Sequence, residues 1–113
     1  MHIDANQNLN LIFGALADAT RRGMLAQLSE GETNITSLAA PYDMSQPAIS
    51  KHLRVLERAG LIARSRRGRD HFIKAIPGPA EEAGGWIAYY AKLWQQQFDD
   101  VETYLQANKG DTK

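Results

Sequence analysis

The chain has 113 residues, of which 43% are hydrophobic, and it contains no cysteine. This length suits one domain with a modest core, and the missing cysteines exclude disulfide bonds, thiolate metal ligands and thiol redox switches. The opening stretch MHIDANQN has no basic cluster, and no long apolar run follows it. We therefore expect a cytoplasmic protein without a signal peptide or a membrane span.

Opposite charges are segregated along the chain, although the net charge is zero. Residues 1–44 contain two basic and five acidic side chains, residues 45–74 eight basic and two acidic, and residues 75–113 three basic and six acidic. The central segment thus has a net charge of +6 between flanks of −3 each. Such a segment favours a polyanion partner, although a solvated charged face is the simpler interpretation of the charge alone.

Apolar spacing predicts three short helices in the first part of the chain, over residues 7–17, 19–28 and 35–40. Asp18 and Asn34 suit the N-caps of the second and third helices, because their side chains accept hydrogen bonds from the unpaired N–H groups of a first turn.

The stretch SQPAISKHLRVLERAGLI, residues 45–62, predicts a fourth helix with two different faces. Ser45 suits the N-cap, Pro47 is tolerated in the first turn, and Gly60 suits a left-handed position after the last turn. Apolar residues recur at helical spacing and form one stripe of Ile49, Leu53 and Leu56. The opposite side is polar and basic, with Ser50 flanking Pro47, Lys51, Arg54 and Arg58.

Two strands and a long helix are predicted after the fourth helix. GLIARS and DHFIKAI flank RRGR and predict a hairpin over about residues 61–76, with Gly68 at its tip. The sequence PGP interrupts the chain, and residues from about 80 to 106 follow one helical pattern.

The third and fourth helices, over about residues 34–60, have the short connection of a helix-turn-helix motif, and a cationic hairpin directly after such a motif is a wing. We therefore expect a mainly α fold with a small β-hairpin, a winged helix-turn-helix, as one DNA-binding domain over residues 1–113.

Three stretches resemble the ArsR-type winged-helix repressors, the arsenical-resistance-regulator family: LADATRRGML, ITSLAAPYDMSQPAISKHLRVLERAGLI and RRGRDHF, within about residues 9–76. The resemblance implies a homodimer that pairs through its first and last helices. It also implies binding to inverted-repeat operators in double-stranded DNA and repression that a ligand relieves.

The first half of the fourth helix is the predicted base-contacting surface, because a helix fits the major groove. Gln46, Ser50 and Lys51 have side chains that pair with base edges, although Gln46 and Ser50 could instead only continue the N-terminal cap. Arg54 lies further along and suits phosphate. The whole predicted DNA-binding set comprises Ser45, Gln46, Pro47, Ser50, Lys51, His52, Arg54, Arg67 and Arg69.

Three further side chains have two open interpretations each. His52 lies on the flank of the fourth helix, where a packed histidine and a phosphate donor are equally plausible. Arg21 and Arg22 could approach phosphate or form ion pairs with Asp18 or Glu30.

Arginines surround the tip of the predicted wing, and Arg67 and Arg69 are expected to contact the DNA backbone or minor groove. A charged hairpin could instead only protect its edge strands.

The alternative function is a winged-helix module that docks protein or RNA. The basic wing and basic helix face favour DNA, since a protein-docking wing would more often be apolar or acidic.

The last helix has an apolar face too broad for a small winged-helix core to cover. A two-fold interface is the simplest explanation. The predicted dimerisation set comprises Leu9, Phe13, Trp86, Tyr90, Trp94, Phe98 and Leu105. A pocket for a small organic effector is the alternative, and an interface could contain such a pocket.

Neither catalysis nor metal sensing is expected. The three histidines, His2, His52 and His71, are scattered, and no glycine-rich phosphate loop is present. Many ArsR-type repressors sense soft metals through a Cys-x-Cys pair in the third helix, where this chain has ITSLAAPYD, and others use Asp and His on the last helix. Residues 80–113 contain no histidine, so we expect no metal site and no cofactor.

Overall fold

The computed structural model describes residues 5–111 of the chain, so residues 1–4 of the opening stretch lie outside it. The elements are, in chain order, α1 (Ala5–Leu16), α2 (Ala19–Leu28), β1 (Thr33–Asn34), α3 (Ile35–Ala39), α4 (Gln46–Arg58), β2 (Ile62–Arg67), β3 (Asp70–Ala75) and α5 (Pro77–Asp111). This order confirms the predicted winged helix-turn-helix, with α3 and α4 as the motif and the β2–β3 hairpin as the wing.

The chain divides after Ala83 into two compact units. The first unit contains every element from α1 to β3 and the beginning of α5, and the second unit is the remainder of α5. No helix within residues 5–111 combines the length and the apolar character that a bilayer span requires.

All three predicted N-caps form. Their side-chain oxygens accept backbone N–H groups three residues on: Asp18 from Arg21 at 3.0 Å, Asn34 from Ser37 at 2.7 Å and Ser45 from Ala48 at 3.3 Å. These bonds replace water at the first turns of α2, α3 and α4, and therefore fix where each helix begins.

The end of α4 is a Schellman motif, which turns the chain towards the wing. Gly60 has φ +74°, its N–H donates to the carbonyl of Glu57 at 3.0 Å, and the N–H of Leu61 donates to that of Leu56 at 3.0 Å. A side chain at position 60 would be strained in this conformation, which explains the glycine.

The sheet has three antiparallel strands in the order β1-β3-β2. Thr33 and Asn34 of β1 pair with Ile73 and Phe72 of β3. Sequence analysis missed β1 because two residues are too short to show the alternation that predicts a strand.

The wing closes through a two-residue turn. Arg67 pairs with Asp70, so Gly68 and Arg69 form the turn, and Gly68 alone of these has positive φ, +64°. Glycine at the first turn position is what a type II′ hairpin requires. The turn therefore presents the Arg69 side chain at the tip of the wing.

The core of the first unit is built from one apolar cluster that draws on every helix up to the start of α5. The predicted stripe of α4 is buried in it, together with Ile12, Met24, Leu28, Leu38, Leu61, Ile62, Ile73 and Ala83. Because one side of α4 is held in this core, its other side faces outwards.

The helix α5 begins at Pro77 and extends to Asp111, whereas the sequence predicted a break at PGP and a helix over about residues 80–106. The prediction of a break was wrong because the prolines occupy the first turn. Their missing N–H groups cost nothing there, since first-turn N–H groups have no partner within a helix.

Candidate nucleic-acid interface

The predicted base-contacting residues lie together on the exposed side of α4. Gln46, Pro47, Ser50, Lys51 and Arg54 are all exposed, while the apolar stripe on the opposite side is buried. The hydroxyl of Ser45 is already hydrogen-bonded as the N-cap. This surface therefore offers amide, hydroxyl and cationic groups from the first half of a rigidly held helix.

His52 is largely covered, in contrast with the residues beside it on α4. Its side chain is 17% exposed, and its Nδ1 atom lies 3.1 Å from Nη1 of Arg21. The Nδ1 side of the ring therefore makes the local contact that is expected of a packed histidine.

Within residues 5–111, Arg21 and Arg22 form no ion pair with Asp18 or Glu30; both cap the C-terminal end of α1. Arg21 donates through Nε to the carbonyl of Ala15 at 2.8 Å and through Nη2 to that of Gly14 at 3.1 Å. Arg22 donates through Nη1 to the carbonyl of Leu16 at 2.7 Å. The carbonyl of Gly14 also accepts from the N–H of Ala17 at 3.3 Å. Cations at a helix C-terminus complement the helix dipole.

Asp18 lies next to this cap, and its pKa is held below the ordinary value of 3.8. The main cause is the backbone N–H of Arg21, which donates to the carboxylate; partial burial opposes it, and the nearby charge of Arg21 also lowers the pKa. Hydrogen bonds and cations stabilise the ionised form, so Asp18 is a charged N-cap.

The two arginines predicted for the wing differ in their surroundings. Arg67 forms an ion pair with Glu32, and its guanidinium lies 4.7 Å from the centre of the Phe72 ring. Arg69 is exposed, and within residues 5–111 it has no ion pair or side-chain hydrogen bond. Arg69 is therefore the freer cation at the tip of the wing.

Two further wing arginines are held by local contacts. Arg66 donates through Nε to the carbonyl of Gly68 at 3.0 Å, and Nε of Arg64 lies 3.7 Å from a carboxylate oxygen of Glu57. The Arg66 bond lies within the hairpin, whereas the Arg64 contact links β2 to the end of α4.

The predicted dimerisation residues separate into one buried and six exposed side chains. Leu9 is buried, 7% exposed in the single chain, so it offers little surface to a second copy. The periodicity of α1 could not distinguish a core position from an interface position. The exposed side chains are those of Phe13, Trp86, Tyr90, Trp94, Phe98 and Leu105.

Within the second unit, aromatic rings of α5 contact one another. The ring centres of Trp86 and Tyr90 are 5.7 Å apart and stacked, and Tyr89 lies edge-on to both. Tyr89 was not in the predicted set, although its place beside Tyr90 in WIAYYAKLW was visible in the sequence. A row of exposed aromatic side chains thus follows one helix, which is unusual for a surface left in water.

The described residues offer no group of three or more His, Asp or Glu side chains that could hold a metal ion. His2, one of the three scattered histidines, lies outside those residues.

The chain is similar in sequence to known transcriptional regulators. Residues 18–64, from the Asp18 cap to β2, match the family described as bacterial regulatory protein, arsR family. The chain is 45% identical over 90 residues to an uncharacterised HTH-type transcriptional regulator, YuzN, from Bacillus subtilis, covering 73% of this chain and 98% of that protein. It is 36% identical to the transcriptional repressor SdpR from the same organism, over 70% of this chain and 88% of the repressor.

Solved structures agree in fold. The crystal structure of an ArsR family transcriptional regulator matches with a TM-score of 0.76 and 36% identity, over 83% of this chain and 97% of that one. A solution structure from Mycobacterium bovis, described as a homodimeric winged helix-turn-helix DNA-binding domain, matches in fold with a TM-score of 0.59 and 20% identity, over 83% and 84% of the two chains. These relatives are transcriptional regulators and not enzymes, and the chain belongs to the ArsR family of DNA-binding transcriptional regulators.

Proposed function

We propose that the protein is a homodimeric repressor that binds an inverted-repeat operator through α4 and the wing. The observation that supports this most strongly is the exposed polar and basic face of α4 opposite its buried stripe. Gln46, Ser50 and Lys51 contact base edges in the major groove, and Arg54 contacts phosphate.

The wing lies along the neighbouring backbone or minor groove and supplies affinity more than specificity. Phosphate contacts position a protein on DNA without distinguishing sequences. Arg69 at the tip is the main phosphate ligand of the wing, and Arg67 contributes when its ion pair with Glu32 opens.

The dimer forms through the aromatic face of α5, with Phe13 of α1 as a further candidate. Trp94 is 60% exposed and Phe98 63% exposed in the single chain, and an isologous two-fold contact would cover such residues in both copies at once. The homodimeric relative from Mycobacterium bovis is consistent with this assembly. Two copies of α4 would then meet two half-sites, hence an inverted repeat.

Regulation is independent of metal ions and depends on a small organic effector near the aromatic helix or on the level of expression. The chain has no cysteine, and soft metal ions need sulfur ligands.

A repressor whose target is bacterial DNA acts in the cytoplasm, which is the location we propose.

The experiment is a salt titration of binding to a labelled duplex of mixed sequence, measured by fluorescence anisotropy. We expect the affinity of the wild type to fall steeply with salt. The double variant Lys51→Gln/Arg54→Gln should bind more weakly, and its affinity should depend less steeply on salt. Lys92→Gln, a cation outside the basic segment, is the control. If all three proteins bind the duplex equally, or none does, α4 is not a DNA-binding helix.

A further inference from the structure

Arg21 connects two helices of the first unit through one guanidinium group. Two of its nitrogens donate to the carbonyls of Ala15 and Gly14 at the end of α1, at 2.8 and 3.1 Å. The third, Nη1, lies 3.1 Å from Nδ1 of His52 in α4. A planar group with fixed donor directions therefore joins the α1–α2 corner to the helix that carries the base-contacting residues.

The contact with Arg21 determines which nitrogen of the His52 ring carries the proton. A guanidinium has only donors, so Nδ1 of His52 must accept and cannot carry a proton. Nδ1 also lies 3.8 Å from the Asp18 carboxylate, which is beyond hydrogen-bond distance. The ring in this arrangement is the neutral tautomer with its proton on Nε2.

The Nε2 atom of His52 reaches solvent although the ring is mostly covered. Within residues 5–111, no side-chain nitrogen or oxygen is both buried and without a hydrogen-bond partner. The contacts of His52 in that range all involve Nδ1, so Nε2 must be accessible to water. The ring thus presents one oriented N–H donor, one residue along α4 from Lys51.

We propose that His52 donates this Nε2–H to a DNA phosphate and that Arg21 is the positioning residue that fixes the donor. The proposal rests on the proposed docking of α4 in the major groove. A neutral donor on the flank of a helix in the major groove fixes the position of that helix along the DNA backbone. Because the donor is uncharged, it adds affinity without releasing a counterion from the DNA.

The tautomer can be tested in the wild-type chain by ¹⁵N-labelled histidine and long-range proton–nitrogen correlation spectra. The chain has three histidines, so the signals can be assigned by substitution. We expect His52 to be the Nε2–H tautomer, and Arg21→Met, which keeps a long side chain without donors, to produce a mixture. An Nδ1–H tautomer in the wild type would overturn the proposal, whether or not the variants fold.

The DNA contact can be tested with His52→Asn and His52→Gln. Asparagine puts an oxygen near the position of Nδ1 and keeps an acceptor for Arg21, but it lacks the distal donor; glutamine reaches the distal position but removes the near acceptor. We expect His52→Asn to melt like the wild type and to bind the mixed-sequence duplex about tenfold more weakly, with an unchanged salt slope. His52→Gln should melt at a lower temperature and retain more of the affinity.

A role in stability alone predicts the opposite pattern, in which His52→Asn binds the duplex like the wild type, and that result would overturn the proposal. So would a loss of affinity accompanied by a smaller slope, because it would mean that position 52 supplies a positive charge. If the wild-type chain fails to bind duplex DNA, the proposed function itself is contradicted. The tautomer measurement distinguishes the two cases, because it needs no DNA.

Discussion

Arg67, the last residue of β2, forms an ion pair with Glu32, which directly precedes β1. The guanidinium also lies over the ring of Phe72 on the paired strand, 4.7 Å from its centre. The ion pair attaches the end of the wing to the segment before β1, whereas the contact with Phe72 lies within the wing. A DNA phosphate must therefore compete with a carboxylate for Arg67, whereas it meets no such competitor at Arg69.

We expect the two wing arginines to differ in the salt dependence of duplex binding. Arg69→Gln should lower the log–log salt slope of the dimer by about two, since each phosphate neutralised contributes about 0.9 and each of the two copies loses one contact. Arg67→Gln should lower it by less than half as much, and Glu32→Gln should raise both affinity and slope because it frees Arg67. Salt titration of binding to a mixed-sequence duplex measures all three.

Lys92→Gln is the control for the wing substitutions, because it removes a positive charge outside the basic segment. Equal slopes for Arg67→Gln and Arg69→Gln would mean that the ion pair with Glu32 does not restrain Arg67.

Gln46 should determine sequence preference and not general affinity. Its exposed amide, at the first position of α4, can pair with both hydrogen-bonding groups of an adenine edge. Gln46→Ala should therefore cost about 1–3 kcal/mol on the preferred site and leave random duplexes unaffected. Competition between selected and random DNA measures this, with Gln96→Ala on α5 as the control; parallel losses on both DNAs would disprove a base contact.

A charge in the aromatic face of α5 should separate the dimer without unfolding the chain. Trp94 is 60% exposed in the single chain, so Trp94→Glu removes little packing within it but places a charge in the proposed interface. Sedimentation at micromolar concentration should show a dimer for the wild type and a monomer for Trp94→Glu. Circular dichroism should show native helix content in both.

Gln96→Glu is the matched control for Trp94→Glu, because it adds the same charge to α5 on the side of the helix away from Trp94 and Phe98. A monomeric wild type would contradict the interface outright.

The N-cap of α2 should make stability depend on pH in acid. The pKa of Asp18 is lowered in the folded chain, chiefly by the Arg21 backbone N–H, so the folded state binds fewer protons than the unfolded state. The stabilisation is complete above the ordinary pKa of 3.8 and is lost as the pH falls through the lowered folded-state value. Asp18→Asn keeps a capping side chain but cannot titrate.

Urea unfolding of wild type and Asp18→Asn at a series of pH values should therefore show a stability difference that is constant near neutrality and shrinks in acid. A difference that does not change with pH would mean that the Asp18 charge does not stabilise α2.

Local chemistry made most of the fold predictable from the sequence. Asp18, Asn34 and Ser45 cap helices because their own side chains supply the bonds, and Gly60 ends α4 because of its backbone freedom. The polar face of α4 followed from periodicity.

Contacts between segments distant in sequence were not predictable. Arg21 meets His52 across 31 positions, and Glu32 meets Arg67 across a similar separation. The expected partners of Arg21 were Asp18 and Glu30, and none within the chain was expected for Arg67. The packing of α2 against α4 and of β1 against β3 brings His52 and Glu32 to these arginines. The burial of Leu9 is a similar case, since core and interface positions share one periodicity.

Metal ions should not release the protein from DNA. The chain has no cysteine, and carboxylates such as Asp99 and Asp100 on α5 favour hard ions and bind them weakly. Titration of the DNA-bound protein with zinc, cadmium, nickel and arsenite, and treatment with chelator, should each leave duplex affinity within a few-fold of its starting value. A tenfold fall with a stoichiometric ion, about 1.4 kcal/mol of coupling, would show that the protein senses metal.

The central claim is that two copies of α4 contact two symmetric half-sites, and selection of binding sequences from a random duplex library by the wild-type chain tests it most directly. We expect enrichment of an inverted repeat whose half-sites lie about one helical turn apart, roughly 10 base pairs from centre to centre, or a multiple of that distance. Recovery of no preferred sequence, or of a single half-site without its symmetric partner, would contradict it.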